Sequence, residues 1–228
     1  MLISYKYRFL FIHIEKAAGS SVKKALKAYS YSPNLIYKYL RKIGLNSIYP
    51  KNKLMISDQH IGAYEVKKEI PQDVWDRLFK FTFTRNPWSL ELSRYFFYIN
   101  LKEWDPEVPR TIAANSAGSF EAYLDWRKDQ PYKKQINYIL DDKGKSLINF
   151  VGRVETIADD FKYVINTIGV EAELTHENTF NLKEFRSSLD YKDYYTPRTR
   201  ALVEELCRED ITLLDYNFEN KHLKCVVI

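Results

Sequence analysis

The chain has 228 residues, 45% of them hydrophobic and 29% charged, with a formal net charge of +5. That content fills the core of one domain, expected over residues 1–228, while the apolar runs are too short to cross a bilayer. Two cysteines, Cys207 and Cys225, and four scattered histidines give neither a disulfide framework nor metal-ligand spacing, so the chain reads as cytoplasmic and metal-free.

Residues 9–14, Phe-Leu-Phe-Ile-His-Ile, have the length and types of a buried strand. Lys6 and Arg8 ahead of them mimic the start of a signal peptide, but His13, Glu15 and Lys16 cut the apolar stretch short. Lys16, Ala17, Ala18, Gly19, Ser20 and Ser21 then lead into a helix whose face is Val22, Ala25 and Leu26. Strand, small-residue loop and helix N-terminus build an anion site, where free N–H groups and the helix dipole converge on a phosphate. Lys16 adds a point charge, and Ser20 and Ser21 add hydroxyl donors. The lysine precedes the glycine, unlike the Gly-x-x-x-x-Gly-Lys-Ser/Thr loop of nucleoside triphosphatases, so routine ATP chemistry is not implied. Tight packing alone is the competing account of these small residues.

A turn at Ser32-Pro33-Asn34, a helix over 35–43, a short strand over 53–57 and a loop over 58–62 follow. A helical region over 64–78, broken at Pro71, precedes a strand over 79–84 in which apolar and polar residues alternate. Arg85-Asn86-Pro87 comes directly after, with Asn86 as N-cap and Pro87 as first helical residue. Leu92, Tyr95, Phe96 and Ile99 then recur at helical spacing, so Arg85 stands at a helix N-terminus and Ser93 about two turns in. An arginine and a hydroxyl so placed can grip a second phosphate; a surface ion pair and a plain helix-face serine are the blander readings. Next come a long loop over 102–119, helices over 120–128 and 131–140, a turn over 141–144 and a strand over 147–151. An amphipathic helix over 156–168 closed by Gly169 and a tyrosine-rich helical third complete the chain, with a helix from Pro197 to about Cys207. Strands alternating with helices argue an α/β sandwich on a largely parallel sheet, with ligands at the C-terminal strand ends.

Residues 1–70 hold thirteen Lys/Arg against four Asp/Glu. That excess suits a multiply charged nucleotide, and an anionic acceptor beside it; a solvated lysine-rich face is the alternative for Lys23, Lys24 and Lys27. The basic residues form no dense run, so nucleic acid is not an expected partner.

Taken together, these residues resemble the sulfotransferases that use 3′-phosphoadenosine 5′-phosphosulfate (PAPS), in particular the carbohydrate-type branch and its bacterial members. Phe11 through Ser21 resembles the 5′-phosphosulfate loop, and Phe83-Thr-Arg-Asn-Pro-Trp88 through Ser93 the 3′-phosphate motif. Phe150-Val-Gly-Arg-Val-Glu155 with Asp160-Phe161, Gln135 with Tyr138-Ile139, and Tyr194-Tyr195-Thr196 resemble later blocks. The resemblance implies a three-layer sandwich like that of the P-loop nucleoside triphosphatases, with PAPS as co-substrate and no metal. The acceptor would be a hydroxyl, on a carbohydrate, with a lipid, small alcohol or peptide tyrosine as alternatives. Cofactor contacts fall on Lys16, Ala17, Ala18, Gly19, Ser20, Ser21, Arg85 and Ser93, and catalysis on Lys16 and His60. His60 is the candidate general base, a capping or contact role being the alternative, and His13 reads as a buried, satisfied strand residue. Arg153 and Glu155 are expected to form a structural ion pair beside the site.

The chain departs from the resemblance at Glu15 and Ala17, where the family has proline and threonine. Ala17 removes a hydroxyl donor, and Glu15 is tolerable where strand alternation turns it from the pocket. Ser89-Leu90 reads as a change at the helix surface. The C-terminal Cys225-Val-Val-Ile228 has the form of a prenylation box, read as coincidence. A small-molecule kinase lacks its metal-binding carboxylate; a non-catalytic nucleotide- or glycan-binding protein is the stronger rival.

Overall fold

Among the described residues four strands lie side by side in chain order. β1 (Leu2–Ser4) pairs antiparallel with β2 (Phe9–Ile12), β2 pairs parallel with β3 (Phe79–Thr84), and β3 pairs parallel with β4 (Phe150–Arg153). The protein is described here from a computed structural model, over residues 1–30, 60–100, 114, 118–174 and 190–219. Among these residues the helices are α1 (Gly19–Leu26), α2 (Ala63–Glu69), α3 (Gln72–Arg77), α4 (Pro87–Asn100), α5 (Phe120–Arg127), α6 (Ile157–Ile168), α7 (Pro197–Leu206) and α8 (Arg208–Leu213).

Strand alternation sorts the core into two faces. Phe9, Phe11, Phe81, Phe83 and Phe150 pack against Val22 and Leu26 of α1 and Phe161, Val164 and Ile168 of α6. Leu10, Ile12 and Val151 face the other way, onto Ala63 and Val66 of α2 and Trp75 of α3. Each fully buried phenylalanine contributes roughly 1.5–3 kcal/mol. Helices therefore cover both faces, and the architecture is a three-layer α/β sandwich on a mixed, mostly parallel sheet. The polar side chains of β3 are satisfied by backbone: Thr82 Oγ1 donates to the Ile12 carbonyl at 2.8 Å, and the Lys80 ammonium donates to the carbonyls of Trp75 and Leu78. A third apolar cluster joins Trp88, Leu92 and Tyr95 of α4 to Phe120 and Tyr123 of α5 and Val203 of α7.

Several expectations hold to within a residue or two: β3, the pair α2 and α3 broken at Pro71, α4, α5, α6 with Gly169 at φ 67°, and α7. Others shift. The segment resembling a signal-peptide start is a hairpin, with Arg8 at φ 53° in the turn and β1 on the sheet edge. The helix over 131–140 shrinks to a 3₁₀ turn, Gln135–Tyr138. Asp210 explains why: its buried carboxylate takes the N–H groups of Gln135 and Ile136, both at 3.0 Å, anchoring the segment to α8. The strand placed at 147–151 begins at Phe150, because the Leu147 N–H bonds the Ile139 carbonyl at 2.9 Å, outside the sheet. The helix over 35–43, the strand over 53–57, Cys225, and the loop over 102–119 apart from Ala114, Gly118 and Ser119 lie outside the described residues. No helix among the described residues is long and apolar enough to cross a membrane.

Candidate active site

β2 ends at Ile12, and the chain turns tightly into α1, the Ala17 N–H bonding the Ile14 carbonyl at 3.4 Å. Lys16 and Ala18 both adopt the left-handed region, at φ 60° and 57°. Two such non-glycine residues cost roughly 1–2 kcal/mol each, a strain that concentrates at functional turns. Ala18 caps α1 without a side-chain hydrogen bond, and the first turn carries no acidic residue. The N–H groups of Gly19, Ser20 and Ser21 thus form an uncapped, positive helix start suited to an anion. Ser20 is exposed and Ser21 half-buried on that turn, while Ala17 is buried in the core beside Ile14 and Ala63.

Gly19 is a glycine because of His13, not because of its φ. A Cβ there would fall 1.7 Å from His13 Cδ2 and 1.8 Å from Nε2. His13 is buried, lies 6.1 Å from the Phe11 ring and 4.6 Å from the His60 ring, and leaves its Nδ1 without a hydrogen-bond partner among the described residues. It is buried as expected but not satisfied. Burial holds its pKa down to about 3, helped by the positive charges of the N-terminus, His60 and Lys23.

The second loop leaves the adjacent parallel strand at the same end of the sheet. Asn86 caps α4, its Oδ1 accepting from the N–H groups of Trp88 (3.1 Å) and Ser89 (3.5 Å), and its own N–H donates to Glu155 Oε1 at 2.7 Å. Gln135 clamps the Arg85 backbone from both sides: its Oε1 accepts the Arg85 N–H and its Nε2 donates to the Arg85 carbonyl, each at 2.8 Å. The Arg85 guanidinium donates through Nε to Ser89 Oγ at 2.9 Å and through Nη1 to the Lys16 carbonyl at 3.4 Å. Burial pulls the Arg85 pKa down, opposed by Glu155 and Tyr216. Ser93 lies half-buried one turn beyond Ser89 on the same face of α4. Ser89 and Leu90 are therefore not a surface change: one partners Arg85 and the other is fully buried. Arg153 and Glu155 attract each other electrostatically, and each also has a structural partner of its own. Glu155 holds the start of α4, while buried Arg153 donates Nη2 to the Leu214 carbonyl at 2.6 Å and lies 4.5 Å from the Tyr216 ring.

Lys16 extends along α4, its ammonium 4.1 Å from the Phe97 ring. Burial lowers its pKa to about 8, Arg85 and Arg94 adding to the shift and Glu15 opposing it. Glu15 accepts from the Tyr98 hydroxyl at 3.2 Å and lines a cavity of about 580 Å³ together with His60, Arg94, Arg127 and Lys133. Strand alternation does not turn Glu15 away, because the strand has ended before it. The His60 Nδ1 lies 3.4 Å from the His13 carbonyl. A carbonyl only accepts, so in the tautomer that makes this hydrogen bond the proton sits on Nδ1 and Nε2 is the acceptor nitrogen.

Lys16 through Ser21, Arg85, Ser93 and His60 thus gather at one end of the sheet. Phe97 and Tyr98 escaped the sequence reading, and Ser89 was read only as a helix-surface residue. Ser89 had a signal, standing four residues from both Arg85 and Ser93; the two aromatics meet residues about eighty positions away and had none.

The profile of the Sulfotransferase family matches residues 1–219, and the chain belongs to that family, whose chemistry is sulfuryl transfer. An uncharacterized protein of Archaeoglobus fulgidus is 27% identical over 116 residues, covering 49% of this chain and 85% of its own. The crystal structure of mouse sulfotransferase SULT7A1 complexed with PAP aligns over 92% of this chain and 86% of its own, at 12% identity and a TM-score of 0.49.

Proposed function

We propose that the protein transfers the sulfuryl group of PAPS to an acceptor hydroxyl, on a carbohydrate, bound in the cavity beside Glu15 and His60. The contact between Arg85 and the Lys16 carbonyl carries this reading, since it sets two strand-to-helix anion sites side by side. A ligand with two separated phosphates, such as the adenosine 3′,5′-bisphosphate (PAP) half of the donor, uses both. The 5′-phosphosulfate lies on the N–H groups of Gly19, Ser20 and Ser21, and the 3′-phosphate between Arg85 and Ser93. Ala17 and Ala18 shape the loop but give no side-chain donor.

Transfer forms a bond from the acceptor oxygen to sulfur and breaks the bond from sulfur to the bridging 5′-phosphate oxygen, which leaves with the electron pair. The acceptor proton passes to His60 Nε2, and the Lys16 ammonium offsets the charge developing on the leaving oxygen. No metal is required in this scheme. His60→Ala, assayed with radiolabelled PAPS and an acceptor drawn from a saccharide panel, loses about 10²–10⁴ in rate while its PAP affinity stays at the parental value. Near-parental transfer by His60→Ala removes His60 from the base role. PAP binding without transfer to any acceptor favours a non-catalytic binding protein.

A further inference from the structure

Among the described residues the cavity is lined by three cationic side chains, Arg94, Arg127 and Lys133, and one carboxylate, Glu15. The cations are already engaged. Arg94 and Arg127 share the fully buried Glu91, and Lys133 donates to the His60 carbonyl at 3.2 Å while lying 4.1 Å from the Tyr138 ring. Glu15 is different. The Tyr98 hydroxyl bonds one of its oxygens, and among the described residues no ion pair or further hydrogen bond holds the carboxylate. It stands next to Lys16 in the chain, beside a site built for anions, where a negative charge raises the energy of every anion bound. Tyr98 nonetheless keeps it on the cavity wall, with its second oxygen left as an acceptor. A hydrogen-bond donor entering with the acceptor substrate offsets that electrostatic cost, and Tyr98, Tyr132, Asn137 and Tyr138 complete the lining with polar and aromatic groups.

Resting on the sulfotransferase reading, we propose that Glu15 determines acceptor specificity. It accepts a hydrogen bond from a second donor, hydroxyl or ammonium, beside the hydroxyl that is sulfated. The site then selects vicinal diols and amino alcohols of the sugar kind over monohydric alcohols.

Two measurements test this. Calorimetry with PAP at low and high salt compares the parent with Glu15→Gln, a variant whose amide oxygen still accepts from Tyr98. Removal of the charge tightens PAP several-fold at low salt, and the difference shrinks at high salt. Equal affinity at both salts overturns the proposal, whereas a parent that does not bind PAP at all sinks the sulfotransferase reading instead. The second measurement follows labelled transfer from PAPS to cyclohexanol, its vicinal diol and its vicinal amino alcohol. The parent favours one of the latter two by at least about tenfold in kcat/KM, the scale of one charged hydrogen bond. Glu15→Gln loses the preference mainly through KM, and the compound that suffers more shows whether hydroxyl or ammonium is the natural donor. Tyr98→Phe, which frees the carboxylate without removing it, weakens the preference and leaves PAP affinity at the parental value. Equal use of the three compounds by the parent, or use of none, overturns the proposal.

Discussion

Gly19→Ala probes the close approach of the loop between β2 and α1 to His13. The added methyl would fall 1.7–1.8 Å from two atoms of the His13 ring, well inside any van der Waals contact, so the ring must move by about 2 Å. It has little room, being buried between Phe11 and His60 with 6% exposure. Overpacking of this kind costs about 1–3 kcal/mol. Replacing glycine by alanine at a helix start with ordinary φ returns roughly 0.5–1 kcal/mol of chain entropy. The net loss is then about 1–2 kcal/mol, which in a chain of this size lowers Tm by roughly 2–8 °C. Urea unfolding of the parent, Gly19→Ala, His13→Ala and the double variant measures the coupling. In the His13→Ala background the added methyl is accommodated and only the entropy gain remains, so the cycle gives an interaction energy equal to the overpacking cost, about 1–3 kcal/mol. Gly19→Ala costing the same in both backgrounds, within about 0.5 kcal/mol, refutes the claim that His13 is what demands glycine.

Gln135→Leu leaves the Arg85 N–H and carbonyl unpartnered, so stability falls by about 1–3 kcal/mol per group left buried and unbonded; chemical denaturation reads this, and PAP affinity falls with it as Arg85 loses its anchor. Lys16, held near a pKa of about 8 in the free protein, is raised when an anion binds beside it. Above pH 8 PAP binding therefore takes up a proton, and affinity declines with rising pH by up to tenfold per unit, whereas below pH 7 Lys16 contributes no slope. Calorimetry in buffers of different ionisation enthalpy detects that proton, and Lys16→Met abolishes it.

The layers and one end of the site were legible because their signals are local. Alternation in residues 79–84, Pro71, Gly169 and Asn86-Pro87 each act within a few residues, and the structure follows them closely. The hairpin strand β1 was not legible, since three residues carry no periodicity. The lost helix over 131–140 has a tertiary cause, Asp210 capturing two N–H groups from some 75 residues away. The same holds within the site. Lys16, Gly19 and Arg85 were legible as residues standing between strand and helix, and they do stand there. The reason for Gly19, the clamp by Gln135 and the exposure of Glu15 to the cavity each depend on a partner brought in by the fold.

The central claim, that the two loops hold one ligand by two phosphates, is tested most directly by calorimetry of PAP, AMP and ATP against the parent and Arg85→Ala. The parent is predicted to bind PAP more tightly than AMP or ATP by about 10–150-fold, the equivalent of one charged hydrogen-bonding group at roughly 1.5–3 kcal/mol. Arg85→Ala is predicted to bring PAP down to the affinity of AMP. Equal affinity of the parent for PAP and AMP, or an Arg85→Ala variant that keeps the preference, contradicts the account.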